Sequence, residues 1–229
     1  MNYTVNGGNK NADIKITEKQ ENGILYLQLN MKLSSPEIPE RFSVNFKFSA
    51  SDCAFTWNPG MMDIHGLYFD WGKKIIKSRL ASWMPLQQLI SRTGKNKLLI
   101  AVSDVDTPIE IGTGICEEDA TIDCSVSFFT LPTTPVTEYT AEIRLDMRNT
   151  TFSDSIYEAS AWWENECGYK SAFVPEGARE PVDSLWYSFH QNLDKEEIIK
   201  ECKASYDIGM KTVIIDDGWQ TDDNNRGYA

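Results

Sequence analysis

The chain has 229 residues, of which 41% are hydrophobic and 11% aromatic, a composition that supplies a folded core and argues against intrinsic disorder. Its 22 basic and 34 acidic residues give a net charge of −12, which argues against partners such as nucleic acid or an anionic membrane surface. No apolar stretch approaches the length of a membrane span, no export signal begins the chain, and its five cysteines are scattered without a close pair. We therefore expect a cytoplasmic protein with reduced thiols, no metal and no cofactor, although an exported form whose signal is missing stays open.

The first part of the chain, up to about Thr150, alternates apolar and polar residues with a period of two, which is typical of half-buried strands. The dipeptide Asn22-Gly23 separates two such runs and is a strong hairpin signal. About seven strands are expected, which predicts an antiparallel β-sandwich over residues 1–150. The clearest runs are 14–17, 24–29, 42–48, 98–102, 109–111, 122–128 and 139–147.

The period changes after Thr150. Ile156, Ala159 and Trp162–Trp163 recur at helical spacing, and prolines and a glycine follow between positions 175 and 181. This pattern predicts a helical linker over residues 151–182.

The last part, residues 183–229, has the pattern of a βαβ unit. An aromatic run over 184–190 predicts a strand, Asp194 with Glu197 predicts a helix start, Gly209 predicts the helix end, and 212–216 predicts a second strand. Two parallel strands do not make a domain, because parallel sheets are buried on both faces. We therefore expect the beginning of a larger, truncated (β/α)8 barrel.

Two carboxylates, Asp216 and Asp217, follow directly after the second of these strands, and Gly218 and Trp219 come next. Ligands of α/β proteins bind beyond the carboxyl ends of parallel strands, so these acids predict a site for a polar ligand. Carboxylates accept hydrogen bonds from sugar hydroxyls, and aromatic faces cover the C–H side of a sugar ring. Asp216, Asp217, Trp186 and Tyr187 offer both.

Residues 185–189 (LWYSF), 193–197 (LDKEE) and 214–219 (IIDDGW) resemble, in order and spacing, the start of the catalytic barrel in α-galactosidases of glycoside hydrolase family 36. The resemblance implies a β-supersandwich before a (β/α)8 barrel, and a retaining enzyme that hydrolyses terminal α-galactosyl residues of oligosaccharides. It also implies that Asp216 and Asp217 bind the galactose hydroxyls, with Trp219 beside them.

The resemblance extends to the first part of the chain. Ser82-Trp83-Met84-Pro85 resembles a Ser-Trp-Gly-Pro loop that brings a tryptophan near the sugar, with Met84 in place of glycine. Trp83 is therefore also a candidate substrate contact. The nucleophile and the general acid/base are expected beyond residue 229, so no catalytic residue is assigned, and the 229 residues alone are expected to be inactive.

Other functions stay open. The acidic motif is also compatible with an α-galactosyltransferase similar to raffinose synthase, and the sandwich with a non-catalytic module for sugar binding or assembly, including a homo-oligomer. Asp216-Asp217-Gly218 is alternatively a strand-to-loop turn with local hydrogen bonds.

Several residues have simpler interpretations. Trp57, Trp71 and Trp83 would close the end of the sandwich or form an interface, and His65 and His190 would be structural. The basic run Lys73, Lys74 and Lys77 is expected to be a solvated loop, and Asp222 and Asp223 a solvated turn.

Overall fold

The computed structural model describes residues 1–80 and 82–220. The chain divides into two compact units, Met1–Lys170 and a second that begins at Ser171. The first unit contains two antiparallel sheets, so the mainly β architecture predicted from the sequence is confirmed. No helix in the described part of the chain combines the length and apolar character needed to cross a bilayer.

The first sheet has five strands, which lie in the order β1, β4, β11, β10, β7. Apolar side chains alternate along β4 and β11, so one face of this sheet is buried and the other carries polar and charged residues. The five strands are β1 (Tyr3–Gly7), β4 (Phe42–Ser49), β7 (Lys74–Ser78), β10 (Ile109–Cys116) and β11 (Thr121–Phe128).

The second sheet has seven strands, which lie in the order β2, β3, β12, β9, β8, β5, β6. The turn between β2 and β3 is the predicted hairpin, and both Asn22 and Gly23 have positive φ values, of 51° and 78°. The strands are β2 (Asp13–Glu21), β3 (Ile24–Glu37), β5 (Phe55–Trp57), β6 (His65–Gly66), β8 (Leu86–Ile90), β9 (Asn96–Val102) and β12 (Val136–Asp146).

The core lies between the inner faces of the two sheets. It contains buried residues from both, among them Leu27, Met31, Phe42, Val126 and Ile143, none of which exposes more than 1% of its surface. Burial of this apolar surface is the main stabilising term of the sandwich.

The helix predicted after Thr150 is α1 (Phe152–Asn165), and Thr151 caps its first turn by accepting a hydrogen bond from the backbone N–H of Asp154. It packs Ala159, Trp162 and Trp163 against the outer face of the seven-stranded sheet. The first unit therefore extends to Lys170, and the helix belongs to this unit although the sequence predicts a linker over 151–182.

A buried ionic network also holds α1 on the sheet. Asp146, which is fully buried, accepts hydrogen bonds from Arg144 Nη2 at 3.1 Å and from Arg148 Nη2 at 2.6 Å. Arg148 also contacts Glu158 of α1, and Arg144 lies 3.7 Å from the same carboxylate. Charged groups on β12 are thus buried because the helix covers them.

The second unit contains a parallel strand pair, β13 (Val182–Ser184) and β14 (Thr212–Ile214), with α3 (Lys195–Asp207) between them in sequence. Asp194 caps α3 by accepting hydrogen bonds from the backbone N–H groups of Glu196 and Glu197, so this predicted helix start is confirmed. The predicted strand over 184–190 is wrong. The strand lies earlier, at β13, and the aromatic run forms the helical turn α2 (Trp186–Phe189), so His190 follows a helical turn instead of ending a strand.

Candidate functional site

The leading candidate site is the edge at which β13 and β14 end. The strands are parallel, with Val182 opposite Thr212 and Ser184 opposite Ile214, so their carboxyl ends lie at the same edge. The backbone N–H of Leu185 continues this pairing by donating to the carbonyl of Ile214 at 3.1 Å. The aromatic turn after β13 and the acidic pair after β14 therefore leave the sheet at one edge.

The loops that follow the two strands are in contact. Gly218 has φ of +102°, and a Cβ placed there would lie 2.5 Å from the carbonyl oxygen of Gln191, in the loop after α2. Only glycine accommodates both the positive φ and this approach. The glycine of the Asp-Asp-Gly-Trp motif thus has a specific structural role, which is to let the acidic loop lie directly against its neighbour.

The two aspartates differ in their surroundings. Asp217 is half-buried and its Oδ1 accepts a hydrogen bond from Gln220 Nε2 at 3.0 Å, while Gln220 Oε1 accepts from the backbone N–H of Gly218 at 2.7 Å. Asp216 is exposed and makes no hydrogen bond or ion pair within residues 1–80 and 82–220. Asp217 therefore takes part in a local turn, and Asp216 is available to a ligand.

Aromatic side chains flank this edge. Tyr187 is 84% exposed and Trp219 is 68% exposed, so most of each ring surface faces solvent. Trp186 is half-buried and makes an edge contact with the ring of His190, with 5.1 Å between the centroids. The segments at this edge thus carry two exposed aromatic side chains and the exposed carboxylate of Asp216. Asp222 and Asp223 lie outside the described residues.

Trp83 belongs to the first unit, in the turn between β7 and β8. Its backbone has φ of 58°, its side chain is 58% exposed, and a Cβ at Gly60 would overlap its indole ring. It lies between two grooves of about 520 and about 320 Å³. An aromatic face held in this way is suited to ligand contact in the first unit.

The other two tryptophans considered with Trp83 have different environments. Trp57 is half-buried and makes an edge contact with Phe152 of α1 at 5.4 Å between ring centroids. Trp71 is 81% exposed and stacks on Phe69 at 5.2 Å. Trp57 thus packs against α1, whereas Trp71 is a surface residue.

A group with metal-ligating atoms was not predicted from the sequence. Asp70, Cys116 and Glu118 place one ligand atom each within 4.8 Å of one another. The Cys116 thiol donates to Glu118 Oε2 at 3.3 Å, and this hydrogen bond raises the pKa of the thiol. The three residues come together because Gly114, which has no side chain, lets the backbone at Asp70 approach β10 closely. Apart from this glycine, the sequence contains no signal for the contact.

Comparison of the chain with protein-family models and with curated proteins found no match.

Proposed function

We propose that the edge formed by β13 and β14 binds the galactosyl group of an α-galactoside, and that the chain is the amino-terminal part of a retaining α-galactosidase. The observation that carries this proposal is the parallel register of β13 and β14, because it puts the aromatic turn and the acidic pair at the same strand ends. The resemblance of residues 185–189 and 214–219 to family 36 enzymes supports the same assignment.

The chemistry of the edge fits a sugar. The exposed carboxylate of Asp216 can accept hydrogen bonds from two hydroxyls, and Oδ2 of Asp217, the oxygen that Gln220 does not bond, from another. Charge-assisted bonds of this kind are stronger than neutral ones. The exposed faces of Tyr187 and Trp219 suit the apolar side of a pyranose ring. The resemblance to family 36 enzymes implies that this acidic pair selects the axial 4-hydroxyl of galactose.

The surface of the second unit favours a larger parallel sheet. Ile214 and Ile215 are each 49% exposed and Val182 is 38% exposed, although strands of parallel sheets are normally buried on both faces. Further strands and helices of a (β/α)8 barrel would cover these residues. β13 and β14 would then be the first two strands of that barrel.

Asp216 and Asp217 have a binding role in this proposal. Retaining hydrolysis needs a nucleophile and a general acid/base whose carboxyl groups are about 5 to 5.5 Å apart. These two groups are assigned to later strands of the barrel. A transferase similar to raffinose synthase would use the same edge and differ only in the acceptor of the galactosyl group, so product analysis with water and with sucrose as acceptors separates the two.

The proposal is tested by titrating the chain with methyl α-galactoside and methyl α-glucoside, which differ in the orientation of the 4-hydroxyl, by calorimetry or ligand-observed NMR. We expect a preference for the galactoside, and a loss of about 10- to 100-fold in affinity for Asp216→Asn and Asp217→Asn, from one charge-assisted bond of about 1.5 to 3 kcal/mol each. The matched control is Asp207→Asn, an exposed aspartate at the end of α3, which should leave binding unchanged.

Two outcomes would contradict the proposal. One is equal affinity for the two glycosides. The other is unchanged galactoside binding in both aspartate variants together with a lower melting temperature, which is the result expected if the motif is only a structural turn.

A further inference from the structure

A second candidate site lies in the first unit and is independent of the proposed function. The groove of about 520 Å³ follows β7, the edge strand of the five-stranded sheet, and Trp83 stands at one side of it. Three cations, Lys74, Lys77 and Arg79, line this groove together with one carboxylate, Glu110. The net charge of the chain is −12, so this lining has the opposite sign to the protein as a whole.

Much of this positive charge is available to a ligand. Glu110 already lies 2.8 Å from Arg41 and 3.8 Å from Lys77, so its charge is compensated by these two partners. Lys74 and Arg79 are exposed, and neither has an ion-pair partner within the described part of the chain. A groove with uncompensated cations attracts an anion, and Arg offers a planar pair of donors that fits a carboxylate.

Two further residues of the lining, Trp83 and Ser78, suit a sugar ring. The indole of Trp83 packs against Gly60, and Trp83 keeps 58% of its surface exposed. Ser78, also in the lining, has a buried hydroxyl with no hydrogen-bond partner among the described residues. An unpaired buried hydroxyl is costly, and a ligand hydroxyl at the groove floor would compensate it.

A peptide strand fits this groove less well. β7 is an edge strand, which is where an added strand would pair, but lysines on an edge strand oppose such pairing. The combination of cations, an open indole face and hydroxyl groups is instead that of a carbohydrate site.

We propose that this groove binds an acidic oligosaccharide that contains uronic acid. Lys74 begins β7 and Arg79 directly follows it, so the two cations pair with carboxylates of different sugar residues, and a pyranose ring stacks on Trp83. The basic run in the sequence around Lys74 is then part of a binding surface, in contrast to the solvated loop expected from the sequence.

The test measures binding of a galacturonic acid trimer to the full chain by calorimetry, next to the fully methyl-esterified trimer, which has the same backbone without the charges. We expect the acid form to bind at least about 10-fold more tightly than the ester, and this preference to shrink as salt is raised. Arg79→Gln and Lys74→Gln should each weaken binding of the acid form about 5-fold, whereas Lys10→Gln, at an exposed lysine away from the groove, should not.

Three results would overturn the proposal: equal binding of acid and ester, equal losses in Lys10→Gln and the groove variants, or no binding of the acid trimer. Equally tight binding of hexaglutamate would also overturn it, because charge alone would then account for the affinity. If a groove variant does not fold, the comparison of acid with ester on the unchanged chain decides.

Discussion

Replacing Asp146 by asparagine should destabilise the first unit by about 3 to 5 kcal/mol at neutral pH, the range found when one partner of a buried ion pair is removed. The carboxylate is fully buried and accepts four hydrogen bonds: from Arg144 Nη2 at 3.1 Å and from the backbone N–H, Nε and Nη2 of Arg148 at 3.0, 2.9 and 2.6 Å. Asparagine keeps one acceptor and turns an amide NH2 toward guanidinium donors. Arg144 is itself buried, and its Nε and Nη1 have no hydrogen-bond partner among the described residues, so its charge would lose most of its compensation.

The pH dependence of this effect has a definite sign. Burial by itself raises the pKa of Asp146, but the hydrogen bonds from Arg148 and the charge of Arg144 outweigh it, so the pKa lies below its ordinary value of 3.8. The stability that the ionised carboxylate contributes is therefore present above that value and is lost as the pH falls through the lowered pKa of the folded state. The difference in the free energy of unfolding between the original protein and the Asp146→Asn variant should therefore disappear at acid pH.

Urea unfolding followed by tryptophan fluorescence measures this gap, first at pH 7 and then at decreasing pH. Asp13→Asn is the matched control, since Asp13 forms an exposed pair with Lys15 at 2.6 Å and should cost less than about 1 kcal/mol. Two results would refute the reasoning. One is a similar loss of unfolding free energy in the two variants at pH 7, and the other is a difference between the original protein and Asp146→Asn that stays constant below pH 3.

Three further predictions follow from the packing. Residues 1–170 produced alone should unfold cooperatively with a β-rich circular dichroism spectrum, and a chain that stops at Thr150 should melt at lower temperature because α1 no longer covers the sheet; equal melting temperatures would contradict this. Trp163→Ala should lower the free energy of unfolding in urea by about 3 to 5 kcal/mol, because the side chain is buried and its Nε1 donates to the Val102 carbonyl at 2.8 Å. A decrease below about 1 kcal/mol would contradict the packing of α1 on the sheet. Gly218→Ala should weaken galactoside binding in a titration, because its Cβ would displace the loop at Gln191, whereas Gly177→Ala, with open space around it, should not; equal effects would argue against this loop contact.

The strands predicted best from the sequence are those with one buried face. β4 and β11 alternate because their apolar residues face the core and their polar residues face solvent, and the alternation is visible without any tertiary information. β8 is not predicted because all five of its residues are buried, including Gln87, whose Oε1 accepts a hydrogen bond from Asn58, and Gln88, whose Nε2 donates one to Asn96. Buried glutamines interrupt the apolar run by which a fully buried strand is predicted from sequence.

At the candidate site, the sequence predicted the order of elements better than their type. The acidic pair does follow a strand, since β14 ends at Ile214, but the aromatic run at 186–189 is helical. Four aromatic or polar residues have no period long enough to separate a strand from a helical turn. The groove of about 520 Å³ beside Trp83 is not predictable from the sequence, because it joins residues of β7, β10 and the loop after β11 that are distant in sequence.

The pairing of β3 with β12 has a consequence for synthesis of the chain. These strands are the second and third of the seven-stranded sheet, and a side-chain hydrogen bond between them joins Gln28 to Glu142, 114 positions apart. At a translation rate of about 5 to 20 residues per second, β3 waits roughly 6 to 23 s for its partner, with only the β2 hairpin along its other edge. For that interval β3 has an open edge, so the nascent chain is more exposed than the finished sandwich to pairing with strands of other chains.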